Sequence, residues 1–486
     1  MCARCRPMTI EHSALLLLVL LLWLVSPIEA AEVSTYTGLP VPASVSSRKG
    51  SAVLMLRDAD GKPLVNATVE YIQSTHDFLF GVGMTSPRGR IPPSIYERLK
   101  SVGVNYALPF MTWAITEPTN GSYDWNTADY LYRPREMQQL GYTLNGHCMV
   151  WFEPHSPWNL PSYVRSMSFK ELKQAISRHI FTLVDHYRGV MSYWTVNEPT
   201  FSYSDFFALT RTQWVEIIST AIEAVHKADP AAKVMVNVIP ADHQEIGYSP
   251  HSILDALASQ GVGFDVIGLE LYSMPGFKYV PDANGYPSVT WASSMLDSYA
   301  RYGRPVILSE VGVTETPSPD AQAEWLRAFY SMAFDKTYVH GVTWYFVDDD
   351  PFLPGAGLFP TTDSSPRPIY DAMADVIRER TTRGVTHTNT SGVARIDGYA
   401  GDYLIKVSDG TVMTSSTVHI TDGEVTTLSI STTVRTSHTT TLAGTTQTAS
   451  PVEPPTTLPQ MHTTIIVGVT AIAVGIFVAL WRKLRK

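Results

Sequence analysis

The sequence predicts an α/β protein: a closed (β/α)8 TIM barrel with a small flanking β-sandwich, a stalk and one C-terminal transmembrane helix. Three observations lead there. Between residues 76 and 383, eight short apolar runs alternate with amphipathic stretches of helical period. At 51–75 and 384–432 the pattern changes to alternating residues broken by turns such as Asp60-Gly61, Asp409-Gly410 and Asp422-Gly423. Near the end, 463–481 is uncharged and is followed by Arg482, Lys483, Leu484, Arg485 and Lys486.

From the N-terminus, residues 1–31 read as a secretory signal peptide. Arg4 and Arg6 precede a short apolar run at 15–25, and Ile28-Glu29-Ala30 fits a small-residue cleavage site. Cys2 and Cys5 form a C-x-x-C inside that segment, so the mature chain keeps only Cys148 and no internal disulfide. The run at 51–72 carries a strong turn, Asp58-Ala59-Asp60-Gly61-Lys62-Pro63. Each β-rich flank is small for an independent sheet, so the two are expected to pair into one sandwich with the barrel inserted between its strands. The flanks resemble a carboxypeptidase-regulatory-like domain split in two.

The barrel itself, 76–383, draws its strands from 78–84, 103–111, 142–150, 192–196, 233–238, 264–271, 305–309 and 341–347, with helices between them at 169–187, 212–228 and 320–334. Strand–helix alternation argues for a parallel sheet under a helical layer, and eight units in about 300 residues suit closure. No glycine-rich phosphate loop follows the first strand, which leaves a dinucleotide fold without support. Beyond the sandwich, 433–462 is rich in Thr, Ser and Pro and reads as an extended stalk. Nineteen residues at ~1.5 Å rise span ~28 Å, the thickness of a hydrocarbon core, so 463–481 is expected to cross a membrane. The basic residues 482–486 form its cytoplasmic tail. The expected location is the cell surface, with the barrel outside. Sequons at Asn66, Asn120 and Asn389 are compatible with export.

Composition narrows the partners. The chain of 486 residues has a formal net charge of -9, which gives no basic surface for phosphates and argues against nucleic acid. Its 11 Trp and 24 Tyr supply flat apolar faces of the kind that stack on sugar rings. Nothing calls for a metal or an organic cofactor, and Asp348-Asp349-Asp350 reads as a solvated loop.

Chemistry in a barrel gathers where strands end at the C-terminal face. The fourth run ends Trp194-Thr195-Val196-Asn197-Glu198-Pro199 and the seventh ends Ile307-Leu308-Ser309-Glu310. Each places a glutamate at the mouth. Two carboxylates across a sugar-sized gap are what retaining glycosidic cleavage needs, one as acid and then base, the other as nucleophile. Close carboxylates resist double ionisation, so Glu198 is assigned the proton and Glu310 the negative charge.

With those residues in place, the barrel resembles glycoside hydrolase family 10, the endo-β-1,4-xylanases, within the clan of retaining glycosidases whose acid/base ends strand four and whose nucleophile ends strand seven. The likeness runs through Gly146-His147-Cys148-Met149-Val150-Trp151, Trp194–Glu198, Glu310, the stretch 341–346, Gly357-Leu358-Phe359 and Pro366-Arg367-Pro368. It implies that Glu198 and Glu310 are catalytic, that His147 and Asn197 bind sugar hydroxyls, and that Trp151 and Trp344 form a sugar platform. Trp113, Tyr272 and Glu270 join the expected substrate site. Two departures stand out. Leu108-Pro109-Phe110-Met111-Thr112-Trp113 lacks the Lys and Asn with which the family grips the sugar before the cleaved bond. Strand six has Glu270 and Tyr272 where the family has Gln and His. Tyr272 is able to donate a hydrogen bond to Glu310; Glu270 either raises the proton affinity of the acid or pairs with an arginine. The implied substrate is an extracellular polysaccharide, a xylan-like β-1,4-glycan first, with a mannan, glucan or glucuronide as the alternative and a non-catalytic carbohydrate-binding surface protein as the reading from another class.

Overall fold

Alternation at 51–76 builds two strands. The computed structural model describes residues 33–34, 48–85, 91–152, 159–199, 209–240, 249–274, 276–361, 364–410 and 413–431. After a two-residue strand β1 (Val33–Ser34) come β2 (Lys49–Arg57) and β3 (Thr68–His76). In β2 every second residue, Ala52, Leu54 and Leu56, is buried, the period of a strand with one covered face. The chain then enters the barrel strands β4 (Leu79–Thr85), β5 (Tyr106–Leu108), β6 (Thr143–Gly146), β7 (Tyr193–Thr195), β8 (Lys233–Val238), β9 (Val266–Tyr272), β10 (Val306–Gly312) and β11 (Val339–Phe346). It leaves through β12 (Arg383–His387), β13 (Val393–Tyr399), β14 (Gly401–Ser408), β15 (Met413–Ile420) and β16 (Val425–Ser431).

The eight middle strands close in the order β10-β11-β4-β5-β6-β7-β8-β9, every pair parallel. The outer strands make two four-stranded sheets, β1-β16-β2-β13 and β12-β3-β14-β15. Each therefore mixes strands from before and after the barrel. β3, by which the chain leaves, pairs with β12, by which it returns (Arg383 opposite Ile72). One apolar cluster containing Leu54, Val69, Ile396, Tyr403, Ile405 and Ile420 fills the space between the two sheets.

Helices form where the sequence caps them. Phe169–His186 opens on a capping box, with Ser168 and Glu171 bonding each other's backbone N–H, and Arg211–Ala228 opens the same way on Thr210 and Gln213. Both bury one apolar stripe against the barrel wall. The strands are shorter than the apolar runs on the second and third units. The run 103–111 yields only three strand residues because Gly103 takes φ 97° and Pro109 has no N–H to donate. The run 142–150 leaves the sheet after Gly146 and rises to the mouth.

Arg48 joins sandwich and barrel. Its guanidinium donates to the carbonyls of Phe334 at 2.6 Å, Lys336 at 2.5 Å and Val339, and it lies over the rings of Phe78 and Phe334. These carbonyls close the turn before β11, so the sandwich is pinned to the barrel floor, away from the mouth.

Among the described residues no helix is long and apolar enough to cross a membrane. The expected signal peptide at 1–31, the stalk at 433–462, the helix at 463–481 and the tail at 482–486 all lie outside the described residues.

Candidate active site

Period-two alternation sorts the barrel residues into two layers. Leu79, Tyr106, Leu108, Met235, Val266 and Ile307 fill the lumen, while their strand neighbours face the helices. On β9 the lumen series that begins at Val266 continues through Gly268, Glu270 and Tyr272. On β10 the same rule places Ile307 and then Ser309 inside, with Glu310 outside. The register shifts between Ile307 and Glu310, so that Glu310 and not Ser309 stands opposite Glu270. An extra residue in one strand re-aims the side chain that follows, and here it turns Glu310 to face the lumen.

Glu198 arrives from the other side, just past β7, where its backbone N–H donates to Val150 O at 3.0 Å. One carboxylate oxygen from each of Glu198, Glu270 and Glu310 lies within 4.8 Å of the other two. Glu270 and Glu310 are each 3% exposed, and the Glu198 side chain 12%. His147 Nε2 sits between two of them, 2.9 Å from Glu310 Oε1 and 3.6 Å from Glu198 Oε2. Tyr272 Oη donates to Glu310 Oε2. Glu198 Oε2 and Glu310 Oε1 are buried with no hydrogen-bond partner among the described residues, an uncommon state for buried polar atoms.

At an effective dielectric of ~20, two unit charges 4.8 Å apart repel by about 3.5 kcal/mol. The trio cannot all ionise. Burial first, and then the charge of Glu310, push the Glu198 carboxyl well above the usual carboxylate range, against a hydrogen bond from Cys148. Burial, then Glu198 and Glu310, push Glu270 up likewise, against a hydrogen bond from Asn237. Burial also raises the Cys148 thiol, with the carboxylates adding to it.

Of the expected site residues, Glu198, Glu310, His147, Tyr272 and Glu270 converge on one point. Among the described residues Glu270 pairs with no arginine; its Oε1 accepts from Asn237 Nδ2 at 2.8 Å. Trp151 is part-exposed at the rim, 6.0 Å from the Phe110 ring, which in turn lies 5.0 Å from His147. Two expectations are corrected. Trp344 is fully buried and its Nε1 donates to Ala356 O at 2.8 Å; it faces the helices. Period two explains this, since Thr343 packs in the lumen beside Tyr106, and Tyr345 therefore takes the place expected of Trp344. Trp113 is likewise buried, bonded to Glu117 and Tyr163 and stacked on His179. Asn197 is clamped to the backbone of Asn237, donating to its O at 2.9 Å and accepting from its N at 3.2 Å, which holds Glu198 in register and leaves the second Nδ2 hydrogen uncommitted.

Several residues escaped the sequence reading. Asn237 ties the Asn197 loop to Glu270, and the space for it comes from Gly268, where a Cβ would stand 1.8 Å from Asn237 Oδ1. A polar residue inside the apolar run 233–238 was the available signal. Tyr345 lies 6.4 Å from the His147 ring and 5.9 Å from Tyr272. Phe352, 45% exposed, stands 5.3 Å from Tyr272. An exposed aromatic beside a buried tyrosine has no sequence signature.

Relatives agree with the geometry. The model of glycosyl hydrolase family 10 matches residues 104–376. An endo-1,4-beta-xylanase of Agaricus bisporus is 29% identical over 264 residues, covering 50% of this chain and 72% of that enzyme. The anti-sigma-I factor RsgI6 of Acetivibrio thermocellus is 26% identical over 366 residues, covering 74% of this chain. The chain spans only 45% of the length of that protein. In fold, the crystal structure of native xylanase 10B from Thermotoga maritima aligns with a TM-score of 0.50 at 20% identity, over 62% of this chain and 95% of that one. Since the family model covers more than half of the sequence and includes both mouth glutamates, the chain belongs to glycosyl hydrolase family 10.

Proposed function

We propose that the protein is a retaining glycoside hydrolase that cuts an extracellular β-1,4-linked polysaccharide, a xylan-like glycan first. The observation that carries this reading is the gap between Glu198 and Glu310, whose nearest oxygens lie within 4.8 Å. Inverting enzymes separate their carboxyl groups by ~6.5–9.5 Å to admit a water, retaining ones by ~5–5.5 Å.

Glu310 attacks the anomeric carbon while Glu198 protonates the departing glycosidic oxygen. A glycosyl ester forms on Glu310, and Glu198, now a carboxylate, draws a proton from the water that hydrolyses it. The hydrogen bond from Tyr272 fixes one oxygen of Glu310 and leaves Oε1 toward the gap. His147 Nε2 stands between the two carboxyls, 2.9 Å from Glu310 Oε1 and 3.6 Å from Glu198 Oε2. Phe110, Trp151, Tyr345 and Phe352 provide the apolar faces for sugar rings.

The departures at 108–113 and at Glu270 keep other β-glycans in contention, and the sequence of the two ends supports a cell-surface location with residues 463–481 as the anchor. A panel of aryl glycosides and polysaccharides, offered to the purified ectodomain, tests the whole reading. Reducing ends released from xylan, and lost in Glu198→Gln and Glu310→Gln, are expected. Turnover of mannan or glucan alone would reassign the substrate, and binding without turnover would leave a surface lectin.

A further inference from the structure

Glu270 has no task in the double displacement just described, yet it is as buried as Glu310 and stands directly beside it on the neighbouring strand. We propose that Glu270 is a positioning residue held in its carboxylic acid form, so that the three-carboxyl cluster carries two protons and one negative charge whenever the enzyme is ready to react. The catalytic part of this inference rests on the reading above; the proton count does not.

Among the described residues the groups around Glu270 leave it no counter-charge. Glu310 faces it from β10 and Tyr272 from its own strand. Glu198 faces it from the end of β7, His147 and Cys148 from beyond β6, and Tyr345 from β11. Five of these, Glu310, Tyr272, Glu198, Cys148 and Tyr345, are acids or weak acids whose ionisation opposes its own. The tyrosine hydroxyl of Tyr272 is committed to Glu310, and the imidazole of His147 lies against Glu310 and Glu198. Among the described residues the hydrogen bond to Glu270 comes from a neutral amide, Asn237 Nδ2, and reaches Oε1, which a protonated carboxyl offers as its carbonyl oxygen. A buried carboxyl without a cation keeps its proton. The directions of the shifts agree: both Glu198 and Glu310 push Glu270 up, whereas among the carboxylates only Glu310 does so for Glu198.

A neutral Glu270 holds the pocket to a single anion through the reaction. As the bond from Glu310 to the anomeric carbon forms, its negative charge disappears into the ester. As the glycosidic bond breaks, the proton of Glu198 leaves with the departing alcohol, and Glu198 takes up the charge. One anion precedes the step and one follows it. Through Asn237, which also clamps Asn197, the same acid fixes the position of Glu198.

Two measurements test this. In wild type the alkaline limb of kcat/KM should fall with two protons, because both Glu198 and Glu270 must be protonated. In Glu270→Gln, which keeps shape and neutrality, the limb of the remaining activity should fall with one proton. Glu270→Ala, which removes the partner of Asn237, should lose about 10–100-fold, as outer-shell deletions do. Independently of turnover, an infrared difference spectrum of wild type minus Glu270→Gln at neutral pH should contain the carbonyl band of one protonated carboxylic acid. A difference spectrum with a carboxylate band in its place overturns the proposal. So does a one-proton limb in wild type, a measurement that stands even where the variant fails to fold. So does a limb displaced to lower pH in Glu270→Gln, the mark of a lost negative neighbour. Loss of all turnover in wild type on every glycan would sink the glycosidase reading while the infrared count still decides Glu270.

Discussion

The substitution Trp344→Phe separates a core residue from a sugar platform. The indole is fully buried on the helix side of β11, and its Nε1 donates to Ala356 O at 2.8 Å. Phenylalanine removes that bond, about 1 kcal/mol net, and leaves a buried carbonyl unpaired, which costs about 1–3 kcal/mol in the same frame. The smaller ring leaves a cavity comparable to that of a lost methyl or two, about 1 kcal/mol. The total is about 3 kcal/mol after allowing for overlap between these terms. Thermal unfolding followed by far-UV circular dichroism should show a Tm lower by about 5 °C, given roughly 2–4 °C per kcal/mol at 150–250 residues and less for a longer chain. KM for an oligosaccharide should stay as in wild type below the transition. The paired change Tyr345→Ala should do the reverse, raising KM several-fold with a smaller change in Tm, because Tyr345 faces the mouth beside Tyr272. A tenfold rise in KM for Trp344→Phe with Tm unchanged would refute the assignment of the two faces of β11.

Glu198→Gln should lower kcat by about 10²–10⁴-fold, and the alkaline limb of any residual activity should fall with one proton instead of two, because the raised proton affinity of Glu198 no longer contributes to it; an unchanged limb would assign the acid elsewhere. The same raised affinities make the folded state hold protons that the unfolded chain has released, so stability falls as pH rises above the ordinary carboxylate range. Glu270→Gln removes one such group, and its Tm at pH ~8 should exceed that of wild type; a Tm at or below wild type contradicts it. Arg48→Ala strips the guanidinium from the carbonyls of Phe334, Lys336 and Val339 and should destabilise by about 3 kcal/mol, since hydrogen bonds from charged donors contribute about 1.5–3 kcal/mol each and do not add fully. Urea unfolding measures it, and a change below about 1 kcal/mol would show that the sandwich is held on the barrel by its apolar contacts.

What the sequence made legible follows from which signals are local. Eight parallel strands could be read because each is an apolar run of strand length between helical patterns, and the helix starts at Ser168 and Thr210 carry their capping partners three residues on. Glu198 and Glu310 could be read because each closes such a run. The face a side chain takes was harder. The family resemblance implies a sugar platform at Trp344, yet period two from Thr343 sends it outward. Glu310 reaches the lumen only through a register shift, which leaves no mark in the order of residues. Asn197 and Trp113 belong to pairings with Asn237 and with Glu117, Tyr163 and His179. Apart from Glu117, four residues on from Trp113, those partners come from other strands or from distant helices, and only the closed barrel brings them together.

Trapping the glycosyl-enzyme tests the paired action of Glu198 and Glu310 most directly. A 2-deoxy-2-fluoro β-xyloside with a good leaving group slows hydrolysis of the ester more than its formation. Peptide mapping by mass spectrometry should then find the sugar on the peptide that carries Glu310, with no adduct in Glu310→Gln. A label on any other residue, or a natural substrate released with inverted anomeric configuration and no adduct at all, would contradict a retaining mechanism on this pair.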